Sequence, residues 1–288
     1  MTEDPFVVHR GLLFTVAYEM LGSAADADDV LQEAWQRWAN VDHSQVSDPR
    51  AYLIRVVTRQ ALNQMRTLSR RREDYVGEWL PEPLLTSPDV ADDVELAESV
   101  SIAMLTVLET LEPTERAVFV LREVFDMPYA EIAEAMGKSL AAVRQMAWRA
   151  REHVAARRPR VQVSRSEQQA VVERFLAALR TGQIRDLMEV MAPDVVLTAD
   201  GGGLVPAART PIHGAEHVAR LLARANQTQA TFKATAIWLN GAPAGRVEID
   251  GQPIAVSLVL ENGRVTRIYA VANPRKLTRL DEPATLAR

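Results

Sequence analysis

One stretch decides the fold of the middle of this chain: Tyr129-Ala-Glu-Ile-Ala-Glu-Ala-Met136, then Gly137-Lys138, then Ser139-Leu-Ala-Ala-Val-Arg-Gln-Met-Ala-Trp-Arg-Ala-Arg151. A short helix, a glycine at its C-cap and a second helix with a serine cap predict a helix-turn-helix. The apolar stripes of the two helices face each other, which leaves these side chains of the second helix outward: Arg144, Gln145, Trp148, Arg149 and Arg151. Because arginine reads guanine edges and glutamine reads adenine edges, these residues and the cap Ser139 are candidate DNA-binding residues. The alternative is a basic, solvated helix in an ordinary helical domain.

Charge is distributed unevenly along the chain. The net charge is −5, which by itself argues against a DNA-binding protein. Basic residues are nevertheless concentrated in residues 49–72 and 138–160, and each segment carries seven of them against at most one acidic residue. Positive charge gathered on particular helices suits a phosphate backbone whatever the total.

The composition excludes several classes of protein. No run of about 18 apolar residues is present to span a bilayer, and residues 1–10 do not have the pattern of a signal peptide, so we expect a soluble, cytoplasmic protein. The chain has no cysteine, and its five histidines are scattered. We therefore expect no disulfide, no metal site and no cofactor.

The N-terminal 72 residues have a helical pattern throughout. Within them, Asp26-Ala-Asp-Asp-Val-Leu-Gln-Glu-Ala-Trp35 predicts a helix with an acidic and amide face opposite its apolar stripe. That face consists of Asp28, Asp29, Gln32 and Glu33, and it suits a basic partner. The alternative is a solvated acidic face, since carboxylates near a helix N-terminus are favourable in any case.

The pattern divides the chain into four parts and predicts a multidomain fold. Two prolines in Trp79-Leu-Pro-Glu-Pro-Leu84 break the helical pattern, and helices resume at Val94, the first of them predicted over Val94–Leu111. Beyond residue 160, two predicted helices precede alternating β-branched runs with an Asn-Gly turn at Asn262-Gly263. The predicted parts are a helical domain over 1–72, a linker over 73–93, a helix-turn-helix domain over 94–160 and an α+β domain over 161–288. In the last part a curved antiparallel sheet wraps a helix to form a cone.

These motifs resemble those of the extracytoplasmic-function sigma factors. Leu111-Glu-Pro113, the helix Arg116–Glu123 and Ala130–Ala133 resemble their region four, while Leu21-Gly-Ser23 and the acidic helix resemble their region two. The resemblance implies a sigma factor that carries core RNA polymerase to promoters. Region two would dock on the β′ clamp helices, and region four would read the minus-thirty-five element and touch the β flap.

The helix after Asp48-Pro49 resembles the segment of this family that melts promoter DNA and reads the minus-ten element. The resemblance implies that its basic face tracks phosphates and that the loop over residues 40–47 receives a base extruded from the stack. The implied DNA-binding residues of this helix are Arg55, Arg59, Asn63, Arg66 and Arg70. Arg59 stands where the family usually has asparagine.

Three further motifs resemble the sigma factor subgroup with a C-terminal SnoaL-like domain: Trp79–Leu84, Asp200-Gly-Gly-Gly203 and Asn273-Pro-Arg-Lys-Leu277. We expect this regulatory domain to pack against the linker, with Trp79 as a buried apolar anchor, and so to set the spacing of the DNA-binding domains. The candidate interdomain residues are Trp79, Leu80, Pro81, Pro83, Leu84, Asp200, Gly201, Gly202, Gly203, Asn273, Pro274, Lys276 and Leu277.

Two alternatives concern the C-terminal domain. The same cone is an enzyme fold in polyketide cyclases, which makes Asp200, His213 and His217 candidates for acid–base chemistry. We favour the simpler interpretation that Asp200-Gly-Gly-Gly203 and His213-Gly214 are turns, and we expect no enzymatic activity. A one-component regulator that binds DNA alone and senses a small molecule in the cone is the second alternative, and such a ligand stays open.

Overall fold

The computed structural model describes residues 4–158, 164–227 and 231–288, except for the side chains of residues 69–73 and of residue 227. Its first part is helical: α1 (Pro5–Val8), α2 (Arg10–Leu21), α3 (Ala24–Ala39) and α4 (Pro49–Glu73). Helix α2 is buried along nearly its whole length, so the other helices pack around it. It ends at Gly22 with a left-handed φ of 67°, the conformation that glycine accepts at a helix C-cap.

The second helical part contains α5 (Val94–Ser99), α6 (Ile102–Leu108), α7 (Pro113–Phe119), a π-helical turn over Val120–Val124, α8 (Tyr129–Met136) and α9 (Leu140–Arg157). The prediction of one helix over Val94–Leu111 is wrong, because Ser101 leaves the helical path and caps Met104 at the start of α6. The helix-turn-helix forms as predicted: Gly137 has a φ of 63°, and the Ser139 hydroxyl accepts from the Ala142 amide at 3.2 Å.

The C-terminal part is α+β, as predicted. Its helices are α10 (Arg165–Thr181), α11 (Ile184–Val190) and α12 (Ala215–Gln227). Its strands are β1 (Met191–Asp200), β2 (Ile212–His213), β3 (Phe232–Leu239), β4 (Ala242–Ile249), β5 (Gln252–Glu261) and β6 (Arg264–Val271), in the order β2-β1-β6-β5-β4-β3. All neighbours are antiparallel except β1 and β6, which run parallel.

Both faces of this sheet are covered. One face wraps α10 and α12 around residues such as Phe175, Val218 and Ile268. The other face packs on the linker and on α6, through Leu80, Ile102 and a set of sheet residues that includes Leu239 and Tyr269. The sheet is therefore the surface on which the linker and the second helical part are assembled.

The two helical parts share one hydrophobic core. It runs from Phe6 through α2, α3 and α4 to α9, and it also contains Leu286 from the last residues of the chain. Those last residues run back over α2, where the Ala287 amide donates to the Thr15 hydroxyl at 3.1 Å. Within the described ranges, no helix is both long and apolar enough to cross a membrane.

Candidate functional site

The acidic face of α3 is present as predicted. Asp29, Gln32 and Glu33 are exposed, whereas Asp28 is half-buried. Asp28 forms ion pairs with Arg279, from the segment after the last strand, and with Arg10 at 3.6 Å. Glu33 Oε2 also accepts from Gln60 Nε2 of α4 at 2.6 Å, so the face is exposed at three positions, of which Glu33 is also bonded within the chain, and is partly covered at Asp28.

Two arginines of α4 are in contact with the helix-turn-helix. Arg55 Nη1 lies 2.8 Å from Glu134 Oε1, and Arg59 donates to the carbonyls of Ala135 at 2.9 Å and Glu134 at 3.3 Å. These acceptors lie at the C-terminal end of α8, where the helix dipole adds partial negative charge. The end of α8 therefore offers the two arginines one carboxylate and two carbonyl oxygens as acceptors.

The other predicted DNA contacts of α4 are differently placed. Asn63 and Arg66 are exposed and lie one turn apart, with 3.3 Å between Arg66 Nη1 and Asn63 Oδ1. The side chain of Arg70 lies outside the described residues. The loop before α4 borders a cleft of about 430 Å³ lined by residues that include Asp42, Ser47 and Tyr52, the place where the sequence predicts an extruded base.

The predicted residues of α9 are all exposed, but two of them form ion pairs within the chain. Arg144, Gln145 and Trp148 are exposed, Trp148 by 59%. Arg149 is also exposed, and it pairs with Glu115 of α7 at 2.7 Å. Arg151 likewise contacts Glu123 at 3.2 Å and the Tyr129 hydroxyl at 3.0 Å. Two of the predicted DNA-binding arginines are therefore engaged in holding the domain together.

Asp200 is the centre of the interdomain contacts. It ends β1, is fully buried, and its carboxylate accepts four hydrogen bonds. Oδ1 accepts from the Tyr75 hydroxyl at 2.6 Å and from the Gly202 amide at 3.0 Å. Oδ2 accepts from the Leu80 amide at 2.9 Å and from Lys276 Nζ at 2.7 Å. The linker, the glycine turn and the segment after β6 thus meet on one carboxylate.

Lys276 and Asn273 complete this cluster. Lys276 Nζ also donates to the Leu80 carbonyl at 2.5 Å and lies 4.0 Å from the centre of the Trp79 ring, a cation–π contact. Asn273 Nδ2 donates to the Tyr75 hydroxyl at 2.8 Å. Burial and the neighbouring Asp200 carboxylate raise the pKa of Tyr75, so the phenol stays protonated as a donor. The three motifs that resemble one subgroup are therefore brought together in space.

The glycines after Asp200 allow the close approach of the other motifs. Gly202 and Gly203 have φ values of 59° and 69°. A Cβ atom on Gly202 would collide with the Asn273 side chain, and one on Gly203 would lie 3.0 Å from Val76 Cβ. A larger residue at Gly202 would displace the Asn273 side chain, and one at Gly203 would press on Val76 of the linker.

The linker motif is buried from Leu80 to Leu84, and each of its three amides is used. The Leu80 amide donates to Asp200, the Glu82 amide to the Gly22 carbonyl at 2.8 Å and the Leu84 amide to Asn240 Oδ1 at 2.9 Å. The two positions between them are Pro81 and Pro83, which have no amide to satisfy. The prolines therefore occupy the positions at which a buried donor would have had no partner.

Trp79 is not the buried anchor that the sequence predicts. Its indole is half-buried and rests against Gly22, where an added Cβ would lie 2.8 Å from Trp79 Cη2. The anchors are Leu80 and Leu84, each 1% exposed. The half-buried indole instead makes the cation–π contact with Lys276, which itself binds Asp200.

Sequence reasoning missed Asn240, which joins the cone to both helical parts. It lies at the β3–β4 turn with a φ of 52° and is 1% exposed. Nδ2 donates to the Tyr18 hydroxyl of α2 at 2.7 Å and to the Val100 carbonyl, between α5 and α6, at 2.8 Å. The Asn240 amide returns a bond to the Leu84 carbonyl at 2.9 Å. The available signal was a second Asn-Gly pair, Asn240-Gly241, but nothing local distinguishes it from a solvent-exposed turn.

A second missed residue is Glu82, at the centre of the linker motif and 3% exposed. Its Oε2 atom accepts from the amides of Ala24 at 2.8 Å and Ala25 at 3.3 Å and from the Ser23 hydroxyl at 3.3 Å. Its carbonyl accepts from the Tyr18 hydroxyl at 2.6 Å. The available signal was a lone acid between two prolines in an otherwise apolar motif.

Buried charges also join α2 to α7. Arg116 is 2% exposed and donates from Nε to the Glu19 carbonyl at 2.9 Å, and it pairs with Glu109. Glu19 Oε1 accepts from the Ser99 hydroxyl at 2.7 Å. Burial raises the pKa of Glu19 to about 8 and lowers that of Arg116 to about 9. The contact between the two helical parts is therefore sensitive to the charge of Glu19.

The residues considered for acid–base chemistry are not equivalent in their surroundings. Asp200 is buried under the linker, whereas His213 and His217 are exposed at the start of α12, where His217 Nδ1 lies 3.2 Å from the His213 carbonyl. Over the described part of the chain, no group of three or more His, Asp or Glu residues is arranged to hold a metal ion.

Comparison with known proteins agrees with this arrangement. Two family models match the chain: Sigma-70 region 2 over residues 6–71 and Sigma-70, region 4 over residues 101–154. The ECF RNA polymerase sigma factor SigJ of Mycobacterium tuberculosis is 37% identical over 96% of this chain and 94% of its own. The probable ECF RNA polymerase sigma factor SigI of the same organism is 32% identical over 93% and 92%. The crystal structure of SigJ superposes with a TM-score of 0.77 and 34% identity, over 95% of this chain and 97% of that chain.

Proposed function

Since this chain belongs to the extracytoplasmic-function sigma factors, which bind core RNA polymerase and direct promoter-specific initiation, we propose that its cone and linker hold the factor closed until it meets a promoter. In the closed form the two helical parts share a core. Asp200 of the cone bonds to the linker, and Asn240 of the cone bonds to both helical parts. Opening separates the helical parts so that each can bind its own promoter element.

The contact between α4 and α8 carries this proposal. Arg55 and Arg59 lie 2.8–3.3 Å from acceptors on α8. On a promoter, elements named for positions minus ten and minus thirty-five are separated by about 25 base pairs, or about 85 Å of B-form DNA at about 3.4 Å per base pair. Two modules cannot bind both elements while α4 touches α8, so the closed form must open first.

Each part then has its own task. The acidic face of α3 (Asp28, Asp29, Gln32, Glu33) docks on the β′ clamp helices, because an acidic surface suits a basic partner. On opened minus-ten DNA, α4 binds through Arg55, Arg59, Asn63, Arg66 and Arg70, with the loop over residues 40–47 receiving a base. Duplex DNA at minus thirty-five is read by Arg144, Gln145 and Trp148 of α9, whose domain also meets the β flap. The factor acts in the cytoplasm, with the polymerase.

We further propose that the cone makes and breaks no bonds. The four donors around the Asp200 carboxylate support this, because a general base needs a free lone pair next to its substrate. The cone's acidic residue is then a structural acceptor for the linker.

The closed form is tested by removing the acceptor of Arg55. The chain has no cysteine, so Ala39→Cys and Ala155→Cys, at exposed sites on α3 and α9, allow a donor and an acceptor dye to report the distance between the helical parts. We expect Glu134→Gln to lower the high-transfer population, and Glu131→Gln, on the same helix without an ion pair to α4 among the described residues, to leave it unchanged.

Promoter DNA and core polymerase complete the test. We expect the high-transfer population to vanish in the wild-type protein when both are added, and run-off transcription by Glu134→Gln to equal or exceed that of the wild type. Persistence of high transfer in an initiating complex would overturn the proposal. Loss of transcription by Glu134→Gln with intact folding would do the same.

A further inference from the structure

The carboxylate of Glu82 serves α3 as a helix cap supplied from another part of the chain. The first amides of a helix have no partner within it and need external acceptors. At α3 the Ser23 hydroxyl accepts from the Asp26 amide at 3.2 Å, and Glu82 Oε2 accepts from the amides of Ala24 and Ala25. The cap of this helix is therefore shared between its own serine and the linker.

The carboxylate is not needed merely to hold the linker in place. The Glu82 amide donates to Gly22, and its carbonyl accepts from Tyr18, so the backbone alone ties this residue to the α2–α3 turn. Burying an acid is costly, and burial raises the pKa of Glu82. The amides at the N-terminus of α3, where the helix dipole is positive, are favourable partners for the carboxylate and offset this cost.

The residues on either side of Glu82 are bound to the cone. Leu80 is held at its amide by Asp200 and at its carbonyl by Lys276, and Leu84 is held at both groups by Asn240. Glu82 is thus fixed at its two flanks by the cone and at its own polar groups by region two. A displacement of the cone residues that bind Leu80 and Leu84 must therefore move this carboxylate relative to α3.

We propose that Glu82 is a positioning residue for polymerase binding: from its place between two cone-bound leucines, it keeps the first turn of α3 formed and its acidic face correctly presented. This rests on the proposed docking role of α3. The cone then influences polymerase affinity through a single carboxylate, independently of whether α4 and α8 are in contact.

The test compares Glu82→Ala with Glu82→Gln and with Glu78→Ala, a control in the same linker whose half-buried side chain makes no hydrogen bond or ion pair among the described residues. Binding of the full chain to core polymerase is measured by anisotropy, and amide exchange is measured over residues 22–30. We expect Glu82→Ala to weaken binding by about three- to thirty-fold, the range that follows from removing a helix cap. Exchange at Ala24 and Ala25 should accelerate in the same variant.

Glu82→Gln retains an acceptor oxygen and should fall between the wild type and Glu82→Ala, while Glu78→Ala should match the wild type. Asp29→Ala, on the exposed face of α3, distinguishes a failure of the docking role of α3 from a failure of the coupling through Glu82. If Asp29→Ala weakens polymerase binding and Glu82→Ala does not, the coupling is wrong and the docking face stands. If neither variant weakens binding, the docking assignment fails and this proposal fails with it.

Discussion

Asn240→Asp replaces the side-chain NH2 group by an oxygen at the point where the cone, the linker and both helical parts are in contact. Oδ1 can still accept from the Leu84 amide, but Nδ2 becomes an oxygen that cannot donate to the Tyr18 hydroxyl or the Val100 carbonyl. The new carboxylate also faces the Val100 carbonyl in a site that is 1% exposed. We therefore expect Asn240→Asp to open the closed form without altering the shape of the side chain.

The magnitude follows from the two lost bonds. A buried polar group left without its partner costs about 1–3 kcal/mol, so the pair costs about 2–6 kcal/mol. Even the lower limit of about 2 kcal/mol shifts the ratio of closed to open molecules about thirty-fold. Burial raises the pKa of the introduced carboxyl above its ordinary value of about 3.9, and the neutral form can donate one bond. The stability lost is therefore smallest at low pH and grows as the pH rises above that ordinary value.

The assay is energy transfer between dyes at Ala39→Cys and Ala155→Cys, together with urea unfolding, at pH 5 and pH 8. The matched control is Asn262→Asp, at another Asn-Gly turn of the same sheet with the same φ of 52°, where the side chain is exposed. We expect the closed population to fall in Asn240→Asp, more at pH 8 than at pH 5, and to be unchanged in Asn262→Asp. Equal closed populations in the two variants at pH 8 would refute the reasoning.

Four further substitutions test separate parts of the molecule. The pKa of Glu19 is raised to about 8 in the folded protein, so the stability that its protonated form contributes is complete below its ordinary pKa and is lost as the pH rises to 8. The urea midpoint of the wild type should therefore fall between pH 5 and pH 8.5. The midpoint of Glu19→Gln should stay level over the same range. Asp200→Asn turns one acceptor oxygen into a donor that faces existing donors, which should lower the thermal midpoint by calorimetry, with a loss of about 1.5–3 kcal/mol for each charged bond broken. Arg144→Ala should reduce run-off transcription at an unchanged thermal midpoint. Arg149→Ala breaks the ion pair with Glu115 and should lower the thermal midpoint. The reverse pattern would contradict the division of α9 into residues that read DNA and residues that support the domain.

Local patterns were sufficient for much of this fold. The apolar stripes, the Gly137 turn and the Ser139 cap predict the helix-turn-helix, and alternation with Asn-Gly turns predicts the antiparallel strands. These succeed because a cap or a stripe depends on residues within one or two turns. The break between α5 and α6 was missed because Ser101 is not distinguished by its neighbours alone.

The sequence by itself determined which segments are helical, which are strands, where charge is concentrated and which three motifs accompany one another. Only the tertiary structure decided how they are used: that Arg55 and Arg59 contact α8, that Glu82 caps α3, and that Asn240 bonds to Tyr18 across 222 positions of the chain. The physical reason is that a hydrogen bond depends on distance and direction in space. The path of the backbone sets both, and short-range periodicity carries no record of that path between residues so far apart.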